Sequence, residues 1–560
     1  MPRIMPLPPI APRSTASSVE ALEARIAPAV VTARLVTYTD TDGDLVELRA
    51  SQSVFTAANL AFVPGVAGGE TLELLALGTV AKGAQITFKA TTPAGSAGDG
   101  FVAVGVIDAH GVDLRSIVVD GALAAVKAGD ANPKTPALRS ITVESFGATG
   151  DGLAMAAPLS VLVGGVSSLN VLGDFGHAKL TCTSTIGFMR IGGSVLGNTS
   201  TSNYSGFIEA DAFGRVLVAG DIRGGAGDSS GCIVADHNLA VLLVGGSVRG
   251  GAGLESGVVS SLLNAGVVRI GGDLQGGTGP QTGRVTIGNA VSLLEVVGSV
   301  IGSGHDFTGE IRVTKQIELL RIGGDLRGGN ASGSDDVLNT GFVKADSIKA
   351  FLVRGSINAG TNDSTGQLIN SGSIRTADEI RLGRVVGDLR GTTSLVTGKT
   401  TPAVISAEDS EYHDASPASD VALIRLTVDG SVVDSRIEAG YGTDGLPVDG
   451  NAKIGTLVVK GDWINSTLVA GVQSSNASFG DNDGSDSLIP GRFPSNFSKI
   501  RSVVIGGEVR GGIDLTQPSG FMAHVIDRIT VKGVPVALSG ALDNILIGSA
   551  GTANVRVQEL

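Results

Sequence analysis

Aromatic surface is nearly missing from this sequence. One tryptophan, Trp463, and four tyrosines leave aromatics at 4% of 560 residues, so sugar rings have little on which to stack. Charge is also sparse, at 17%, and its balance is acidic, −13. No basic patch offsets it, which excludes a phosphate backbone as partner. There are only two cysteines, Cys182 and Cys232, and neither sits in a CxxC or metal-ligand spacing. No apolar run reaches the roughly 18 residues of a membrane-spanning helix. GxSxG, HExxH and P-loop motifs are absent. Glycine does not recur at every third residue, which excludes collagen.

What is present in quantity is glycine, 83 residues, and an apolar content of 42% drawn mainly from Val, Leu, Ile and Ala. That supply of β-branched residues excludes a disordered chain. The segment LLRIGGDLRGG (319–329) has close relatives in VLLVGGSVRGG (241–251), VVRIGGDLQGG (267–277) and SVVIGGEVRGG (502–512). The glycine before the Asp or Ser falls at Gly220, Gly246, Gly272, Gly298 and Gly324, in steps of 26. Apolar residues alternate with polar ones within each unit, as in Leu320 and Ile322 around Arg321, and a period of two means strand. A second strand recurs upstream of each glycine, as in GCIVA (231–235) and GRVTI (283–287). The expected fold is all-β: a parallel β-helix, or β-solenoid, of about 15 coils of two or three strands each, stacked at about 4.8 Å. On this register the two cysteines lie two coils apart, beyond disulfide reach, and two free, packed thiols are expected.

The residue after the marker glycine alternates without a miss through Asp174, Ser194, Asp221, Ser247, Asp273, Ser299, Asp325, Ser356, Asp388, Ser431 and Asp462. Stacking would place carboxylates two coils apart, which lowers their repulsion. A Ser hydroxyl between them could donate to a carboxylate or cap its own turn. The reading is a structural ladder; the functional alternative is a row of cation sites. Glu508 breaks the series, which suggests a coil hidden in 465–500.

Residues 1–34 read as a targeting or disordered segment, 35–110 as a small antiparallel β cap, 111–545 as the solenoid and 546–560 as a C-terminal tail. RLVTYTDTDGDLVELRAS contains a hairpin with its turn at Asp42-Gly43. Polar insertions are expected to bulge out at about 392–420 and 465–500. Open coil ends make end-to-end self-association an expected partner mode.

Two sets of aspartates suit a hard cation: Asp40, Asp42 and Asp44, and Asp481, Asp483 and Asp486. Calcium takes such spaced carboxylates, although Gly43 is fourth where an EF-hand loop places glycine sixth. A plain turn is the other reading for each, so calcium is the one cofactor left open. No catalytic residue is expected. Glu408, Asp409, Glu411, His413 and Asp414 form the densest titratable cluster and read as a solvated loop. Gly304-His305-Asp306 and Asp335-Asp336 superficially match motifs of pectin-degrading β-helix hydrolases without the surrounding signature residues.

The IGGDLRGG repeats resemble those of exported β-solenoid proteins of planctomycete and verrucomicrobial bacteria. VEALEARIAPA (19–29) is similar to their LEPR-type N-terminal segment, with Leu22-Glu23-Ala24-Arg25 where the family has Leu-Glu-Pro-Arg. The resemblance implies a secreted or surface-displayed protein. The expected function is a non-catalytic extracellular or cell-envelope scaffold, adhesin or matrix component, meeting polysaccharide or protein but no nucleic acid. A polysaccharide-processing lyase or hydrolase and a calcium-stiffened surface-layer or filament protein are the alternatives.

Overall fold

The computed structural model describes residues 29–65, 68–147, 158–409, 421–476, 478–490, 497–511, 519–540, 542–548 and 555–560. The chain is a parallel β-solenoid of about 15 turns. Each regular coil has three strands. In one coil these are Cys232–Ala235, Leu239–Val244 and Val248–Arg249. Each strand pairs in parallel with its equivalent 26 residues on, so Val244 lies beside Ile270 and Val248 beside Leu274. Three sheets result, which we call the second sheet (CIVA-type strands), the long-strand sheet and the short-strand sheet.

Alternation decides which side chains enter the core. Along Leu239–Val244, Leu239, Leu242 and Val244 are buried. Stacking then builds columns such as Leu242, Val268, Leu294, Leu320 and Phe351. Each such side chain contributes about 1.5–3 kcal/mol by leaving water. One apolar cluster runs from Val36 to Val557, so the N-terminal cap shares the core of the solenoid. Cys182 and Cys232 are buried and free, two coils apart. Burial pushes their thiols up to about 11 and about 12.

The cap departs from a purely antiparallel layout. Leu35–Thr39, Leu45–Ala50 and Gln85–Thr91 are antiparallel neighbours. However, Gln85–Thr91 and Val102–His110 both pair in parallel with Leu114–Gly129. Parallel stacking therefore begins inside 35–110, because these strands already carry the inward apolar residues Phe88, Val104 and Ile107. Val30–Val31 is a short strand against Val36–Thr37, inside the segment expected to lack structure. Residues 19–28 lie outside the described ones, and with them most of the LEPR-like segment.

The insertions are also narrower than the sequence suggested. Ala403–Ala407 is a strand of the second sheet, between Ser373–Thr376 and Ser435–Ala439, and all five of its residues are buried. Thr392–Thr393 and Thr400–Thr401 form a small hairpin before it. Glu411, His413 and Asp414 lie outside the described residues. Thr467–Ala470 is likewise a second-sheet strand, followed by a hairpin of Val472–Ser474 with Asp486–Leu488. No coil hides there, since Trp463 pairs directly with Val509. The expected tail is structural too: Val555–Glu559 pairs with Ser519–Ala523 and with Asn544–Ile547. The period-two pattern Val555, Val557, Glu559 buries one face of that strand.

Candidate functional site

The Asp/Ser series is a hydrogen-bonded ladder. Each Asp Oδ1 accepts the backbone N–H of the next coil's Ser: Asp174 from Ser194 (2.6 Å), Asp221 from Ser247 (2.8 Å), Asp273 from Ser299 (2.8 Å), Asp325 from Ser356 (2.7 Å) and Asp388 from Ser431 (2.8 Å). Each Ser Oγ accepts in turn from the next Asp: Ser194 from Asp221, Ser247 from Asp273, Ser299 from Asp325, Ser356 from Asp388 and Ser431 from Asp462, all at 3.0 Å. This corrects the expected role of the serine, which accepts from the next coil's backbone. The geometry also explains the glycine marker. A Cβ on Gly246 would lie 2.2 Å from Asp221 Oδ1, so only glycine lets the ladder side chain lean across the corner.

Glu508 follows Asp462 directly, and its N–H donates to Asp462 Oδ1 at 2.8 Å. Two acidic residues are thus adjacent at that step. The second is neutralised by Arg510 (2.7 Å) and Lys532 (2.9 Å). Burial opposes ionisation of Asp388, but the Ser431 N–H and Arg390 outweigh it and hold the carboxyl below its usual range. With Oδ1 committed to backbone, the ladder is a joint between coils.

A second recurrent corner escaped the sequence reading. A residue in the left-handed region precedes a buried Ser or Thr and a glycine: Glu255-Ser256-Gly257 and Gln281-Thr282-Gly283 are two examples. The Thr282 Oγ1 accepts from Gly277 N–H and donates to Gly279 O, both at 2.8 Å. The Ser/Thr-Gly pair ahead of each second-sheet strand was the available signal.

Among the described residues, Asp40, Asp42 and Asp44 are the one triple whose carboxylate oxygens lie within 4.8 Å of one another. They sit on the turn joining Leu35–Thr39 to Leu45–Ala50. Asp40 Oδ1 accepts from Asp44 N–H (2.7 Å) and Gly43 N–H (3.1 Å). Asp42 Oδ2 accepts from Asp99 N–H (3.0 Å), and Asp44 Oδ2 from Gly100 N–H (2.6 Å). Asp42 Oδ1 and Asp44 Oδ1 are buried without a hydrogen-bond partner. Burial, and then the adjacent Asp42 carboxyl, push the Asp40 carboxyl up to about 7. The interaction with Asp40 holds Asp42 below the ordinary range.

The second acidic set is arranged differently. The Asn476 amide donates to Asp481 (2.9 Å) and Asp483 (2.8 Å), so a neutral amide bridges those two. Asp486 Oδ2 instead accepts from Gly480 N–H (2.8 Å), and burial raises its carboxyl. The hydrolase-like motifs serve the coil: Asp306 accepts from Leu338 N–H and Asp336 from Gln367 N–H, both at 2.8 Å.

Two further places carry side-chain chemistry. Burial raises the Glu408 carboxyl, helped by the charges of Asp444, Asp346 and Asp378. On the outer face of the long-strand sheet, a groove of about 440 Å³ is lined by Leu319, Ala350 and Leu382 and flanked by Arg321, Arg384 and Arg425. Arg384 is paired with Asp429 at 2.6 Å. No family model, curated protein or solved structure matches this chain. Among the described residues, no helix is long and apolar enough to cross a membrane.

Proposed function

We propose that this chain is a non-catalytic rod of the extracellular space or cell envelope, acting as scaffold, adhesin or matrix component. The observation that carries the reading is the ladder, which joins consecutive coils from Asp174 to Glu508 by side chain as well as by backbone. A joint repeated over that length suits a spacer, whose role is to hold its parts at fixed separation. The resemblance of the repeats to exported solenoid proteins supports the same location. The groove beside Arg321 and Arg425 favours an anionic polysaccharide as the partner, since it offers two cations over an apolar floor on an otherwise acidic molecule.

The test is immunogold labelling of intact and lysed cells that make the protein. Label on intact cells is expected, and label confined to lysed cells would sink the reading. Deleting residues 222–273, two coils, should also lower the labelled height by about 9–10 Å.

One observation favours an enzyme instead. The protonation-prone Glu408, among the charges of Asp346, Asp378 and Asp444, is the kind of group that general acid catalysis uses. Release of reducing ends or unsaturated products from acidic polysaccharides, lost in Glu408→Gln, would establish that reading in place of the first.

A further inference from the structure

We propose that Asp40, Asp42 and Asp44 bind one calcium ion, and that this ion fastens the N-terminal cap over the first coil. Each of the three carboxylates gives one oxygen to backbone N–H groups, which fixes its orientation. That leaves Asp42 Oδ1 and Asp44 Oδ1 buried and without a hydrogen-bond partner. Asp44 is fully buried, so its orphaned oxygen is costly unless something occupies it. Among the described residues, no Lys or Arg pairs with any of the three.

The donor set selects the ion. Carboxylate oxygens are hard ligands, which suit calcium or magnesium and not a thiolate-seeking metal. One oxygen of each carboxylate lies within 4.8 Å of the others, close enough to share one ion. Calcium accepts an irregular shell of protein oxygens, whereas magnesium demands near-ideal octahedral geometry and keeps several waters.

The site also joins two distant stretches of chain. Asp42 and Asp44 hold the N–H groups of Asp99 and Gly100, just before the parallel strand Val102–His110. A Cβ on Gly98 would lie 1.9 Å from Asp44 Oδ1, so this loop presses its bare backbone against the carboxylate. A cation there would tie the hairpin turn to the chain entering the solenoid, at the end where coil stacking is otherwise open.

The experiment is calorimetric titration of the calcium-stripped full chain with CaCl₂. Wild type should bind one more ion than Asp44→Asn. Asp42→Asn, at the less buried position, serves if Asp44→Asn fails to fold. At calcium 100 times the dissociation constant, amide exchange over 38–46 and 99–101 should slow by up to about 100-fold in wild type, with no change in the variant. Equal stoichiometry in wild type and both variants overturns the proposal. So does failure to bind at about 5 mM calcium, above the range of extracellular modules, or saturation by magnesium that calcium does not displace. The proposal stands apart from the rod's location: stoichiometry decides one and surface labelling the other.

Discussion

Between Gly220 and Gly324 the marker glycines are spaced by 26 residues, while from Gly324 to Gly507 the steps range from 31 to 46. The two regions nevertheless share one constant. The last buried residue of the long strand and the first of the short strand stand four positions apart in both. Val244 and Val248 or Val296 and Val300 show it in the first region. Val385 and Leu389 or Ile505 and Val509 show it in the second. All the added length goes to the corners on either side of the second sheet. From Arg327 to Phe342 the chain takes a longer path than from Ile301 to Glu310, yet the flanking strands stay in register. The difference teaches that the corners obey different physics. The ladder corner bonds to its neighbours above and below through a side chain of fixed reach, so it has no slack. The others can lengthen at the modest entropic cost of a longer loop.

The sharpest way to break that contrast is an insertion. One alanine added after Gly324 should cost about 4 kcal/mol or more in urea unfolding, because it removes two ladder bonds and shifts a strand face. Six Gly/Ser residues added between Ser332 and Gly333 should cost less than about 1 kcal/mol. Similar losses at the two sites would end the distinction.

Gly246→Ala comes next, with an expected loss of about 2–4 kcal/mol from the forced contact with Asp221 Oδ1. Adding Asp221→Ala should restore part of it in a double-mutant cycle; strict additivity would refute the steric account.

Acid and base should act on cap and ladder with opposite signs. The Asp40 carboxyl is raised in the folded state. Its contribution is therefore full below about pH 4 and lost as pH rises toward about 7, in EDTA. The Asp388 carboxyl is lowered, so its contribution is present above about pH 4 and lost as pH falls. Amide exchange at pH 5 and pH 8 should show the 38–46 turn loosening at the higher value and the 388–431 step holding firm.

The smallest expected effect is Ser247→Asp, which sets three ladder carboxylates on consecutive coils. A loss of about 1 kcal/mol at low salt should shrink in 1 M NaCl. No loss at either salt would refute charge spacing as the reason for the alternation.

These corners also explain what the sequence disclosed. The coil count, the register and the ladder were legible because the Gly-Asp/Ser corner is invariant in length and its chemistry needs glycine at one position. The Ser/Thr-Gly corner was harder to see, since its left-handed residue is Glu255 in one coil and Phe307 in another. Ala403–Ala407 and Thr467–Ala470 were assigned to loops because elastic corners put them off the period. At the candidate site, DTDGD was visible as a carboxylate cluster. Its two orphaned oxygens were not, because they depend on where Gly98, Asp99 and Gly100 come to rest, more than fifty residues away in sequence.

The alternation of Asp and Ser carries one more consequence. Backbone stacking repeats with every coil, but charge repeats only with every second one, as Asp221, Asp273 and Asp325 show. The solenoid therefore has a parity. Gaining or losing one coil by duplication or deletion brings two like residues together, whereas gaining or losing two leaves the sequence of charges intact. At Asp462 and Glu508, where parity fails, a lysine and an arginine stand beside the error. Chains of this kind should change length most easily by pairs, so that the unit of their growth is twice the unit of their folding.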